Sequence, residues 1–241
     1  MTRILRLLLP AAALWLAACD VTVTQAPTGS GGTTASAPSV LTNVRARQAA
    51  QRFVAVVETV EPVAEQECRR RARGLNCDFL IVVDDRPGQQ PNAFQTLDRN
   101  GRPVIAFNLP LIASVENADE LAFIMGHEAA HHIADHIARQ RQSATAGALI
   151  FGGLASITGG DAGAVEAAQR VGASVGARTY SKDYELEADQ LGTIIAARAG
   201  YNPIRGSEFF QRIPDPGDRF LGTHPPNAQR AEIVRRTAAG L

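Results

Sequence analysis

The sequence predicts an α+β fold, mainly helical, in which a small β-sheet lies beside one central helix. Three observations carry that prediction. Residues 117–141 hold His127-Glu128-Ala129-Ala130-His131 behind a run of apolar residues, Leu121 to Met125, that suits a buried helix. Three short β-rich runs precede it, Phe79–Val83, Pro91–Phe94 and Val104–Phe107, with Asn100-Gly101 as a turn signal between the last two. Nearly everything after it reads as helix. The chain has 241 residues and is 45% hydrophobic, enough for one core and a tail. Its 24 basic and 24 acidic side chains cancel, so charge gives no case for nucleic acid as a partner.

The amino terminus reads as a targeting segment, residues 1–18, rather than as part of the fold. Arg3 and Arg6 precede an apolar stretch from Leu7 to Leu16, followed by Leu16-Ala17-Ala18-Cys19. Small residues before a cysteine form a bacterial lipobox, which makes Cys19 the lipidation site and the anchor to a membrane. An ordinary cleaved signal with an incidental cysteine is the alternative. The apolar stretch falls short of the roughly 20 residues a helix needs to cross a bilayer. Residues 19–41 are rich in Thr, Ser, Gly, Pro and Ala and read as a flexible tether. Residues 42–241 are left to form the domain.

Within that domain, Thr42–Glu61 reads as a helix, and Pro62 suits the first turn of a second helix ending near Arg73. Cys68 and Cys77 are close enough in sequence to form a disulfide in an oxidising compartment, with a pair of buried thiols as the alternative. The edge of the following sheet offers itself to an extended peptide backbone by strand addition. On the 117–141 helix, Asn117 serves as N-cap, with Glu120 reaching back as in a capping box. His127 and His131 are one turn apart and share a face, so both imidazoles can point at one metal ion. Glu128 lies about 100° round from His127, beside that ion, where it can take a proton from water.

Ser143–Gly160 is dense in Ala and Gly around Leu149, Ile150, Phe151, Leu154 and Ile157. Its length argues against a membrane span, which leaves a small-residue hairpin completed by Asp161–Ala177, or a flap over the cleft. The next helix opens at Thr179 and runs to Gly200, with Ser181 or Asp183 as cap. On it Glu185 and Asp189 are spaced i, i+4, which suits a third ligand with a supporting partner; Glu187 is about 200° from Glu185. A solvated acidic helix start is the plainer reading of that stretch. A short helix then runs from Asn202 to Arg212, a loop leads to His224, and Pro225-Pro226 open a last helix, Asn227–Ala238.

Four stretches in this order resemble the zinc endopeptidases that include HtpX, the CaaX prenyl endopeptidase and the BepA-like proteins, which are of gluzincin type. They are Asn92-Ala93-Phe94, Asp119–His136 with His136 five residues beyond the histidine pair, Tyr184–Asp189, and Thr223-His224-Pro225-Pro226 followed by Arg230. The metzincin pattern fits worse, since Ala134 and Ile137 stand where it wants Gly and His. The resemblance implies a zincin-like minimal metalloprotease fold with one Zn²⁺ per chain held by His127, His131 and Glu185. It implies Asp189 as the group that orients a ligand, Glu128 as general base, and His224 as a second catalytic residue or a cap on the zinc, with Arg230 nearby. The expected activity is hydrolysis of misfolded or misassembled envelope proteins by a periplasm-facing lipoprotein on the inner or outer membrane. The alternative is a non-proteolytic or latent lipoprotein that binds clients through the same site. Unlike HtpX the chain lacks clear multiple spans, and no tetratricopeptide-like domain follows the last motif. A scaffold or tetratricopeptide-type protein is therefore an expected partner, alongside polypeptide substrates.

Overall fold

The computed structural model of the protein describes residues 40–219, 222 and 224–241. The expected signal peptide, the expected lipidation site at Cys19 and all but the end of the expected 19–41 tether lie outside the described residues.

The first helix, α1 (Val40–Arg71), runs unbroken through Pro62, where the sequence suggested one helix ending and another beginning. Pro62 removes a backbone donor, which disfavours a helix interior. Val56, Val60, Ala64 and Cys68, however, form one stripe buried on both sides of it. Packing of that stripe on the core outweighs the local preference. Near the end of α1 the fully buried Glu67 takes ion pairs from Arg70 and Arg71, and from Arg198 of a later helix. Cys68 and Cys77 are joined as a disulfide, with their Cα atoms 5.6 Å apart.

The sheet has the order β1-β3-β2, with β1 (Leu80–Asp84) parallel to β3 (Pro103–Asn108) and β2 (Ala93–Leu97) antiparallel to it. The β2–β3 turn is closed by the Gly101 amide donating to Asp98, and Gly101 takes the positive φ of 78° that favours glycine there. A short helix not anticipated from sequence, α2 (Leu109–Ser114), follows directly. Its cap is Asn108, whose side-chain oxygen accepts from the amides of Leu111 and Asn92, both at 3.0 Å. That residue thus fixes the start of the β2 rim.

Helix α3 (Ala118–Ile133) is capped by Asn117, which accepts from the Glu120 amide at 3.1 Å. Glu120 reaches back one residue further than a capping box, to the Glu116 amide, and is also gripped by Arg212 at 2.6 and 2.8 Å. The run 117–141 is not one helix. It breaks at Asp135, which adopts a left-handed conformation with φ 53°, and α4 (His136–Ile157) starts in a new direction. Asp tolerates that conformation better than most residues do, and no Gly or Pro betrays the break in the sequence.

α4 and α5 (Ala162–Thr179) form the small-residue hairpin, and among the described residues no helix is long and apolar enough to cross a membrane. α6 (Ser181–Arg198) begins without a side-chain cap; the Ser181 hydroxyl instead donates to the Ala177 carbonyl at 3.1 Å. The predicted Asn202–Arg212 helix is split into α7 (Pro203–Gly206) and a 3-10 turn at Ser207–Gln211, and α8 (Asn227–Ala238) closes the chain. The main core joins α1, the sheet, α2, α3 and α6, and a smaller one joins Phe123, Phe210 and Val234. α3 and α6 touch at backbone level: a methyl group on Gly126 would lie 2.8 Å from the Gly192 carbonyl oxygen.

Candidate metal centre

The close approach at Gly126 and Gly192 places the first histidine of α3 against the acidic turn of α6. His127 Nε2 and His131 Nε2 are 3.0 Å apart, and Glu185 reaches them with Oε2 at 3.5 Å and Oε1 at 3.4 Å. These three residues form a group able to hold a metal ion, their ligand atoms all within 4.8 Å of one another. A tetrahedral centre with bonds of about 2.0–2.2 Å separates its ligand atoms by roughly 3.3–3.6 Å, close to the spacing seen.

The hydrogens make the same point. His127 Nδ1 lies 2.9 Å from Asp189 Oδ1, and a carboxylate only accepts, so Nδ1 carries the hydrogen and Nε2 presents a lone pair. Asp189 is itself fully buried and takes two bonds from Arg230, both 2.7 Å. Two imidazole nitrogens and a carboxylate facing one another need a cation between them. Burial opposes charge on His127, yet Asp189 and Glu185 outweigh it and push the imidazole up to about 10. Burial likewise opposes charge on Glu185, but His127, His131 and His224 hold its carboxyl well below the ordinary range. A metal ion bound there would compete with protons for the same donors, so its uptake would depend on pH. The donor set therefore fits a small divalent cation.

A cleft of about 560 Å³ opens over this centre. Asn92 and the first residues of β2, Ala93 to Gln95, line one part of it, apolar residues including Phe123, Phe209 and Ile213 line another, and Glu128 faces it beside the histidines. His224 comes in from the loop before α8, with Nδ1 3.1 Å from Glu185 Oε2. The cleft thus gathers His127, Glu128, His131, Glu185, His224 and Arg230, with Asp189 behind them. Cys68 and Cys77 are not among its lining residues. His132, next to a candidate ligand, turns away and donates to the Asn76 carbonyl at 2.7 Å.

Sequence reasoning gave no role to His136, Glu187 and Arg139. His136 Nδ1 is 2.8 Å from His131 Nδ1, its Nε2 is 3.1 Å from Glu187 Oε2, and Arg139 donates to the same oxygen at 2.8 Å. The signals were the extra histidine after the pair and the second glutamate of Glu185-Leu186-Glu187. Neither could be joined to the site without knowing where the helix breaks.

Comparison with known proteins agrees with this geometry. The model of peptidase family M48 matches residues 50–238, nearly all of the described chain. The chain belongs to peptidase family M48. It carries the metallopeptidase domain of a peptide hydrolase. Among relatives, the mitochondrial metalloendopeptidase OMA1 of Saccharomyces cerevisiae is 30% identical over 68% of this chain and 47% of its own length. The OMA1 of Bos taurus is 30% identical over 77% of this chain and 37% of its own. A beta-barrel assembly-enhancing protease of Yersinia pestis is 27% identical over 66% of this chain and 34% of its own. The chain thus spans about a third to a half of the length of these relatives.

Proposed function

We propose that this protein is a zinc-dependent metalloendopeptidase that cuts unfolded or misassembled polypeptides at a bacterial envelope membrane. The observation that carries the proposal is the convergence of two imidazole lone pairs and a carboxylate beside Glu128, on the floor of a cleft with a free strand edge. His127, His131 and Glu185 hold the ion. Zinc bound there supplies Lewis acidity toward water and toward a peptide carbonyl. Glu128 accepts the proton of the attacking water and delivers it to the leaving nitrogen. Asp189 and Arg230 fix His127 from behind, so its lone pair is aimed before substrate arrives. The β2 edge takes the substrate as an added antiparallel strand, with apolar side chains lodging against Phe209 and Ile213. His224 stabilises the oxyanion once it leaves Glu185.

The envelope setting rests on the lipobox at Cys19, with residues 1–18 as signal peptide, 19–41 as tether and 42–241 as the catalytic domain. The protease name borne by the Yersinia pestis relative supports it. A tetratricopeptide-type scaffold protein would present large clients. A second reading, a latent enzyme, is favoured by one contact: His224 sits on the carboxylate of a candidate ligand.

The test is cleavage of casein by the purified protein, with zinc, with chelator, and with zinc restored. The proposal predicts cleavage that chelator abolishes and zinc restores. Cleavage only in His224→Ala identifies the latent form. Binding of casein without cleavage in either protein contradicts the proposal.

A further inference from the structure

Each histidine of the metal centre must keep its Nε2 lone pair free, so its hydrogen sits on Nδ1 and needs an acceptor there. For His127 the acceptor is Asp189. For His131 the structure offers something less usual, another imidazole: His136 Nδ1, at 2.8 Å.

The hydrogens along this second line follow from its outer end. Arg139 pairs with Glu187, which accepts and cannot donate. His136 Nε2, 3.1 Å from Glu187 Oε2, therefore carries the hydrogen of the neutral ring and leaves Nδ1 bare. The His131 Nδ1–H donates into it, and the His131 lone pair turns toward the cleft. The ring of His136 is held in place by stacking on Tyr184, centroids 4.6 Å apart and planes 17° from parallel, and the Arg139 guanidinium lies over the same Tyr184 ring at 4.4 Å.

The backbone is shaped for this contact. In an unbroken helix, a residue five positions after His131 would sit about 140° round from it, out of reach. The left-handed Asp135 swings His136 back over His131. A helix break that leaves a buried histidine within hydrogen-bond range of a ligand is hard to account for as packing alone.

We propose that His136, fixed by Glu187, is a positioning residue that sets the tautomer and aim of His131. It forms a second supporting arm of the metal centre, opposite the Asp189–Arg230 arm. It acts through His131 rather than as a ligand of the metal. The inference rests on the metal-centre reading above. The two arms differ at their outer ends: Glu187 and Arg139 are 46% and 42% exposed, whereas Asp189 is fully buried. Loss of Glu187 should therefore matter less than loss of His136.

The experiment uses the full chain and three variants, His136→Leu, His136→Asn and Glu187→Ala. Zinc affinity is measured by competition with a chromophoric chelator. In the Co²⁺-loaded protein, the shifted, exchangeable N–H protons of the ligand imidazoles are followed by NMR. His136→Leu should bind zinc about 10–100-fold more weakly and lose or broaden the His131 N–H signal. His136→Asn, whose side-chain oxygen can accept at the same place, should recover most of that loss. Glu187→Ala should weaken binding less than tenfold and speed exchange of the same proton. Wild-type affinity and an unchanged signal in His136→Leu would overturn the arm alone, as would an asparagine variant no better than leucine. If His136→Leu does not fold, unchanged affinity and exchange in Glu187→Ala overturn it. A wild-type chain that takes up no metal overturns the metal-centre reading and the arm together.

Discussion

In the α3–α6 pair and in the α4–α5 pair alike, two helices approach until their backbones meet at glycines. Between α3 and α6 the contact is Gly126 on Gly192, with no room for a methyl group on either. Between α4 and α5 it is Gly147 on Gly172, and Gly176 on Ser143, where an added methyl would run into a facing carbonyl. The first pair uses the closeness to bring imidazoles and carboxylates together, and buries a charge network around them. Past the first turn of α4, where His136 lies, the second buries no ionisable group and turns Leu149, Ile150, Leu154 and Ile157 outward, Ile157 being 83% exposed. Small-residue contacts of this kind set distance but carry no chemistry of their own. What the neighbouring positions hold decides whether a helix pair becomes a site or a surface.

Four changes would break or sharpen that contrast. The largest effect should come from Arg230→Met, which leaves the buried Asp189 carboxylate without its cationic partner and held only by the His127 N–H. The expected loss is about 3–5 kcal/mol by chemical denaturation, together with loss of bound metal. Next are matched glycine substitutions. Gly192→Ala would press its methyl on the His127 backbone at 2.7 Å, costing about 1–3 kcal/mol and lowering metal content. Gly172→Ala should instead raise hydrogen exchange in residues 142–179 and leave metal content unchanged. Equal metal loss in both would remove the distinction between the pairs.

Acid should also separate them. Burial holds His136 down at about 4, and burial holds His132 below its ordinary value. The unfolded chain then binds protons more readily than the folded one, so stability falls as pH drops from about 6.5 toward 4. The His136 share is on the order of 1–3 kcal/mol. Thermal melting across that range should show the loss, and His136→Asn should flatten it. The smallest effect is expected on the hairpin surface: Leu149→Ser, at a side chain 68% exposed, should stay within about 0.5 kcal/mol of the parent.

How legible each part was follows from how local its cause is. His127 with His131, and Glu185 with Asp189, are one helical turn apart, so sequence spacing alone put each pair on a face. Asn117, the Asn100-Gly101 turn and the last helix were readable for the same reason. Arg230 and the role of His224 came only through resemblance, because no local rule links them to α3 or α6; His224 itself stood out only as a histidine in a loop before a helix start. Pro62 was overread, since the core stripe through Val60 and Ala64 overrides it. Asp135 was passed over, because its left-handed turn has no glycine or proline to mark it, and with it went the roles of His136 and Glu187. The Arg212 grip on Glu120 joins residues far apart in the chain and leaves no pattern at all.

The central claim is that Glu128 moves the proton while His127, His131 and Glu185 hold the metal. Glu128→Gln separates the two in one preparation, by elemental analysis beside a casein-cleavage assay. The account predicts one zinc per chain, as in the parent, with cleavage reduced at least about 100-fold. Undiminished cleavage by the zinc-loaded variant would contradict it.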